Sequence, residues 1–289
     1  MSRPWATAVS SDRFLARLEA GMAATAPGAD GGPASGPGGL PGWLWQVAAV
    51  LYDGQDAAEA RHWAPRLHDA LARLDGRVPF AVVHDWHART VTPMLAEASA
   101  RRGRPPGPQE AVRDLHLRAL AGERSTEAEW EAVLEPASRV AYRLAYAYAD
   151  AFADAYAGAH AYAVAHGYGA ERAAEFAVGY AESNTGANAA SFAHGNARAN
   201  AGATAAAWAA ADAHAYAETF PFAQVHVCAL AWAGRERTTA QDGDGDGDGA
   251  GAGAWDGNSG EGDGREVRLR WAYRRLADGL LDGLARVAS

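Results

Sequence analysis

Four residues in the first third of the chain have the types and spacing of metal ligands. His84, Asp85 and His87 lie in the segment VVHDWH, and His62 lies upstream of them. On a helix, residues three apart share a face, so the rings of His84 and His87 can approach one ion. Such an ion would lower the pKa of a bound water and make it a nucleophile. The sequence therefore predicts a divalent-metal site at His62, His84, Asp85 and His87.

The consecutive His-Asp pair, preceded by an earlier His, resembles the HD-domain metal phosphohydrolases, an all-α family. That family binds its metal through a His, a His-Asp pair and a later Asp, and its metal-bound water attacks phosphorus. The ligands that this resemblance implies are His62 or His68, His84, Asp85, and Asp114 or Asp150. The alternative interpretation is that these are exposed or hydrogen-bonded histidines near helix ends, with no metal.

A second group of polar residues lies in the alanine-rich middle of the chain. Its members are Asp150, Asp154, Asn184, Asn188, Asn196 and Asn200. Asn is a poor helix former, and its codons run against the coding bias indicated by the absence of Lys and Ile. Asn side chains can hydrogen-bond across a helix interface and fix its register. We predict such an interface cluster; a ligand pocket that includes His194 and Asp212 is the alternative.

Composition argues against several functional classes. The 289 residues carry a net charge of −9, and all 26 basic residues are Arg, so broad nucleic-acid binding is not expected. The absence of Lys forbids a phosphate-binding P-loop and a Lys Schiff base. The single cysteine, Cys228, excludes an internal disulfide and favours a cytoplasmic location. No apolar run is long enough to predict a membrane span.

The chain divides into segments of different composition. Pro/Gly-rich and Gly/Asp-rich stretches predict disordered linkers at 23–42 and 237–264. They separate a short N-terminal helix within 1–22, a helical domain at 43–236 and a C-terminal amphipathic helix at 265–289. In this last segment, apolar residues recur three and four apart, which is typical of an amphipathic helix: Leu269, Tyr273, Leu276, Leu280, Leu284 and Val287.

Alanine occupies every odd position from Ala145 to Ala165. A period of two is formally a strand pattern, but Ala is the best helix former and a poor strand former. In a helix, the intervening large residues point in all directions, so we expect it to be enclosed within a bundle. The predicted fold is all-α, an irregular helical bundle with long Ala-rich central helices; a β-solenoid is the alternative.

Two functions follow from these patterns. The first is that of a soluble, non-catalytic helical protein that associates with itself or another protein through helical surfaces, without a cofactor. The C-terminal helix would then either dock as the last bundle helix or capture a partner from its tether. Its Arg-rich start also allows weak contact with a membrane surface. The second function is that of a metal-dependent hydrolase using His84 and Asp85.

Overall fold

The computed structural model describes residues 40–146, 148–234 and 259–288, together with Phe14 and Ala16. These residues form an all-α fold that contains no strand, as the sequence predicts. Most of the predicted N-terminal helix, and residues 23–39 and 237–258 of the two predicted linkers, lie outside the described residues. The C-terminal helix begins at Ser259, six residues before its predicted start.

The helices are numbered in chain order. They are α1 (Gly42–Gly54), α2 (Ala57–Arg73), α3 (Ala81–Trp86), α4 (Thr92–Arg101), α5 (Gly107–Leu120), α6 (Glu127–Ala145), α7 (Tyr148–Ala165), α8 (Ala170–Ala210), α9 (Ala213–Glu218), α10 (Pro221–Ala233) and α11 (Ser259–Val287). None of these helices is both long and apolar enough to cross a bilayer, as far as the described residues show.

A π-helical turn, His87–Val91, joins α3 to α4. Pro93 follows this turn and has no N–H to donate to the carbonyl four residues back, which interrupts the α-helical hydrogen bonds. Thr92 closes the wider turn, because its backbone N–H and its hydroxyl both donate to the carbonyl of His87. The turn therefore places His87 and Val91 differently from a continuous α-helix.

The C-terminal helix α11 is a central part of the hydrophobic core. Leu276, Leu280 and Leu284 are fully buried, and α11 packs against α1, α2, α3 and α10. The indole N–H groups of Trp63 and Trp86 donate to carbonyls of α11 at 3.0 and 2.9 Å. Of the two predicted roles for this helix, the structure shows docking. The leucines of α11 are buried, whereas Val267 and Trp271, near its Arg-rich start, are exposed.

The longest helix, α8, packs along α7 with its first half and along α6 with its second half. Its 41 residues span about 60 Å at 1.5 Å per residue. The large side chains of the core contact only its last turns, near Ala201 to Trp208. The remainder of α8 and the whole of α7 form a hairpin that extends away from this core.

Small residues spaced four apart on α8 form its contacts with α7 and α6. On α8 the buried ones are Ala173, Ala177, Ala181, Thr185, Ala193, Ala197, Ala201 and Ala205; the facing ones are Ala159 and Ala163 on α7, and Ala137, Ala141 and Ala145 on α6. A period of four exceeds 3.6 residues per turn, so the row winds around the helix in a right-handed sense. Packing along such rows is the common ridge-into-groove arrangement.

The alternating alanines of α7 are helical, as predicted, but only some of those whose side chains are described face a neighbour. Ala159 and Ala163 are buried, whereas Ala157 and Ala161 are exposed. The expectation that this helix would be enclosed on all sides is wrong. Tyr162 is 55% exposed and Val164 52% exposed, because α7 is covered on one side only.

Candidate functional site

The predicted metal ligands are not brought together as one set. His62 is exposed on α2, whereas His84, Asp85 and His87 are buried on α3 and the π-helical turn. Among the described residues, no group of three or more His, Cys, Asp or Glu side chains is arranged to hold a metal. Of the further ligands implied by the HD-domain resemblance, Asp114 is exposed and His68 lies beside Asp69.

Asp85 forms ion pairs with two arginines. Its Oδ2 accepts from Arg286 Nη2 of α11 at 2.6 Å, and its Oδ1 accepts from Arg89 Nε at 2.8 Å. The carboxylate is 4% exposed, and two guanidinium groups compensate its burial. The ion pair between Asp85 and Arg286 therefore links the C-terminal helix to α3. The sequence gives no sign of this role, because the partner Arg286 lies 201 residues downstream.

A cluster of three buried histidines lies where the metal was predicted. His84 Nδ1 lies 2.9 Å from Nδ1 of His116, a residue that the sequence reasoning missed. His87 stacks on His116 with 4.9 Å between ring centroids, and its Nε2 is 3.2 Å from the hydroxyl of Tyr216. The apolar residues around His116, Val112 and Leu115, could have indicated that it faces the core.

Burial keeps these three histidines neutral at pH 7. Desolvation lowers the pKa of His84 to about 4 and that of His87 to about 3, and it places the pKa of His116 well below its usual value. The rings pack against Trp130 and Trp208 as aromatic side chains do. The cluster is therefore part of an aromatic core.

The predicted asparagine cluster is divided among separate contacts. Asn184 and Asn196 donate to carbonyls four residues back in α8 itself. Of the asparagines whose side chains are described, Asn200 alone reaches another helix, donating to the hydroxyl of Tyr142 on α6 at 3.2 Å. The side chains of Asp150, Asp154 and Asn188 lie outside the described residues. The alternative interpretation was a ligand pocket that also includes His194 and Asp212. These two residues do not line a common pocket, since His194 is exposed and Asp212 caps α9.

Two uncharged rows on α8 stand out from the rest of the hairpin. The small row contains Gly179, Ser183, Ala187, Ser191, Gly195 and Ala199, all exposed. The ring-and-Asn row contains Phe176, Tyr180, Asn184, Asn188, Phe192, Asn196 and Asn200. At 100° per residue, the ring-and-Asn row lies between the buried alanines and the small row. We refer to these two rows together as the α8 face.

Aromatic side chains make the α8 face apolar at two places. Near the tip of the hairpin, Phe176 lies 6.2 Å from Tyr162, 5.8 Å from Tyr168 and 6.4 Å from Tyr180 between ring centroids. Further along, Phe192 contacts Tyr146 at 5.1 Å and is still 48% exposed. Contiguous exposed apolar residues of this kind mark interaction surfaces.

Contacts within the described chain do not explain why several positions on the hairpin are glycine. A Cβ built on Gly158, Gly179, Gly186 or Gly195 would meet no described atom within 4 Å. Glycine inside a helix costs about 1 kcal/mol relative to alanine. By contrast, a Cβ on Gly279 in the core would overlap Thr90. A surface that a second molecule approaches closely would account for Gly179 and Gly195, which both lie in the small row.

Comparison with known proteins identifies no relative. No family model matches the sequence, and neither the curated proteins nor the solved structures give a significant match. The function is therefore inferred from the geometry of this chain.

Proposed function

We propose that this protein functions by self-association, with two copies pairing through their α8 faces. The observation that supports this proposal is the α8 face itself: exposed rings and small residues on a hairpin that extends from the core. Tyr and Phe provide apolar contact area. The small row allows two backbones to approach closely, as the buried alanine row does between α8 and its own neighbours.

The absence of charge on the α8 face favours a second copy as the partner. The whole chain has a net charge of −9, so two copies repel each other over most of their surfaces. Between Phe176 and Asn200, neither row contains an Asp, Glu or Arg. This face is therefore a place where identical molecules can meet without opposing like charges.

The first five members of the small row are also symmetric about Ala187. Reading outward from Ala187, the residues four away are Ser183 and Ser191, and those eight away are Gly179 and Gly195. A two-fold axis beside Ala187 makes the two α8 helices antiparallel and places each Gly opposite a Gly and each Ser opposite a Ser. Such self-complementarity is what a symmetric dimer interface requires.

The size of the face is sufficient for a weak, specific dimer. Residues 176–200 of α8 extend over about 37 Å. If half the circumference of a 10 Å cylinder is covered, the two copies together bury roughly 1,200 Å². That area lies at the lower end of stable interfaces, so we expect a dissociation constant in the micromolar range.

Sedimentation equilibrium on the full chain between about 1 and 200 µM tests this proposal. The wild type is expected to shift from monomer to dimer as its concentration rises. Ala187→Arg places two charges at the centre of the interface and is expected to weaken dimerisation at least tenfold. Gly186→Arg is the matched control, because position 186 is also exposed but lies about 100° around α8 from position 187, on the side opposite the ring-and-Asn row.

A chain that stays monomeric throughout this range would overturn the proposal. So would equal weakening by the two Arg variants, because the α8 face would then not be the interface. Circular dichroism of both variants establishes that each retains the wild-type helix content.

A further inference from the structure

A half-open cavity of about 90 Å³ lies where α6, α8 and α10 meet the π-helical turn. The π-helical turn contributes His87 and Val91 to its wall, and α8 contributes Trp208. Turns of this kind occur frequently at functional sites. This cavity shares only Asn200 with the α8 face, and the inference below does not depend on self-association.

The lining is mostly apolar and carries no charge, and its further polar side chains are Thr92, Gln109, Ser138, Thr204 and Gln224. Side chains such as Val112, Leu134 and Val227 form the walls, and no Asp, Glu, Lys or Arg lines the cavity within the described chain. Tyr142 and Asn200, which are half-buried, form the outer end. Their hydrogen bond of 3.2 Å joins α6 to α8 across the entrance.

Trp208 provides an unused hydrogen-bond donor at the inner end. The residue is 4% exposed, and its indole N–H has no hydrogen-bond partner among the described residues. The neighbouring histidines cannot supply a charge, because burial lowers their pKa values far below 7. The inner end therefore favours a hydrogen-bond acceptor without a negative charge, since a buried anion would find no compensating cation.

We propose that this cavity binds a small, neutral molecule with an apolar body and one acceptor atom, such as a short ketone. A dry cavity of 150 Å³ holds benzene, so 90 Å³ has room for about three to five non-hydrogen atoms. The apolar body lies against the valine and leucine walls, and the acceptor receives the N–H of Trp208. The per-atom limit on ligand affinity makes the dissociation constant no tighter than a few micromolar.

The indole N–H resonance of Trp208 reports directly on such binding. It is assigned by its loss in Trp208→Phe, and 2-butanone is then titrated up to about 100 mM into the ¹⁵N-labelled full chain. We expect a saturable shift of this resonance. Propionate, which has the same number of non-hydrogen atoms but a negative charge, is expected to give none.

Two variants establish where the probe binds. Cys228 lines the cavity, and Cys228→Leu fills part of it, so saturable binding should be lost. Trp208→Phe retains the ring but lacks the donor, and it should bind 2-butanone about two- to tenfold more weakly, as monitored by the methyl resonances of Val112 and Leu134. This second variant keeps the test valid if Cys228→Leu fails to fold.

The proposal is overturned if the Trp208 resonance does not respond to 2-butanone. It is also overturned if propionate gives the same shift, or if Cys228→Leu folds and binds as well as the wild type. A further contradicting result is a water-only cavity, detected as a persistent water contact to the Trp208 N–H that 2-butanone does not displace.

Discussion

At the scale of single residues, spacing along the sequence predicted some contacts of the candidate site and missed others. The spacing of His84 and His87 correctly placed both rings near each other, because residues three apart share a helix face. It did not reveal that His116 completes the cluster, or that Asp85 binds Arg286. Both contacts depend on how distant helices pack, which no local pattern contains. Metal chemistry was inferred from residue types and spacing along the chain, and the packing supports a neutral aromatic cluster instead.

The buried histidines make the stability of the protein sensitive to acid. Their pKa values are near 6.5 in the unfolded chain and, for His84 and His87, about 4 and 3 in the folded chain. Below pH 6.5 the unfolded chain binds protons that the folded chain does not, so the free energy of unfolding decreases as the pH falls. Each such histidine contributes a slope of about 1.4 kcal/mol per pH unit between roughly pH 6 and 4.5.

Urea denaturation between pH 7.5 and 4.5 measures this slope. His116→Phe removes one of the three titrating groups and should reduce the slope by about 1.4 kcal/mol per pH unit. His62→Gln replaces an exposed histidine and serves as the control, with an unchanged slope. An equal slope in wild type and His116→Phe would contradict burial of a neutral His116.

At the scale of the helices, the sequence predicted which segments are helical but not which faces pack. The alternating alanines identify α7 as a helix, but a period of two does not indicate which side of the helix packs against a neighbour. The face is set by α8, whose alanines recur every fourth residue and meet Ala159 and Ala163. This period of four is visible in the sequence and predicts the buried row of α8 once the partner helix is known. The capping box at Thr126 was predictable because both of its hydrogen bonds are local.

Enlarging one buried alanine should separate the two helices of the hairpin. In Ala177→Leu, the new side chain must fit into a fully buried position where α7 and α8 are in contact, at a cost of about 1 to 3 kcal/mol. Amide hydrogen exchange should then increase in residues 150–190 while the core helices stay protected. Ala161→Leu, at an exposed alanine of α7, should leave exchange unchanged. Equal protection in the two variants would show that the alanine row is not the contact.

The molecule as a whole combines a core closed by its own C-terminal helix with an outward-facing hairpin. The spacing of apolar residues predicted α11, but the same amphipathic pattern fits either docking or capture of a partner. The structure shows docking, through three fully buried leucines and the pairing of Arg286 with Asp85. The α8 face was not predictable as a surface, because its exposure follows only from the direction in which the hairpin leaves the core.

Removing α11 is therefore expected to unfold the core rather than to free a binding groove. Burial of a leucine contributes about 1.5 to 3 kcal/mol, and a chain ending at residue 258 loses three such contributions at once. That loss approaches the whole stability of a typical domain. Thermal denaturation followed by circular dichroism should show no cooperative transition in the truncated chain. A cooperative transition at the wild-type temperature would mean that α11 is not part of the core.

Disulfide cross-linking at the centre of the small row tests self-association most directly. The native Cys228 does not interfere, because it is fully buried and desolvation raises its thiol pKa to about 12. In Ala187→Cys, the two-fold axis brings the new cysteine close to its equivalent in the second copy, within the range that a disulfide can bridge. Mild oxidation should convert this variant to a covalent dimer and leave Gly186→Cys monomeric. Failure of Ala187→Cys to cross-link, or equal cross-linking of both variants, would contradict pairing through the α8 face.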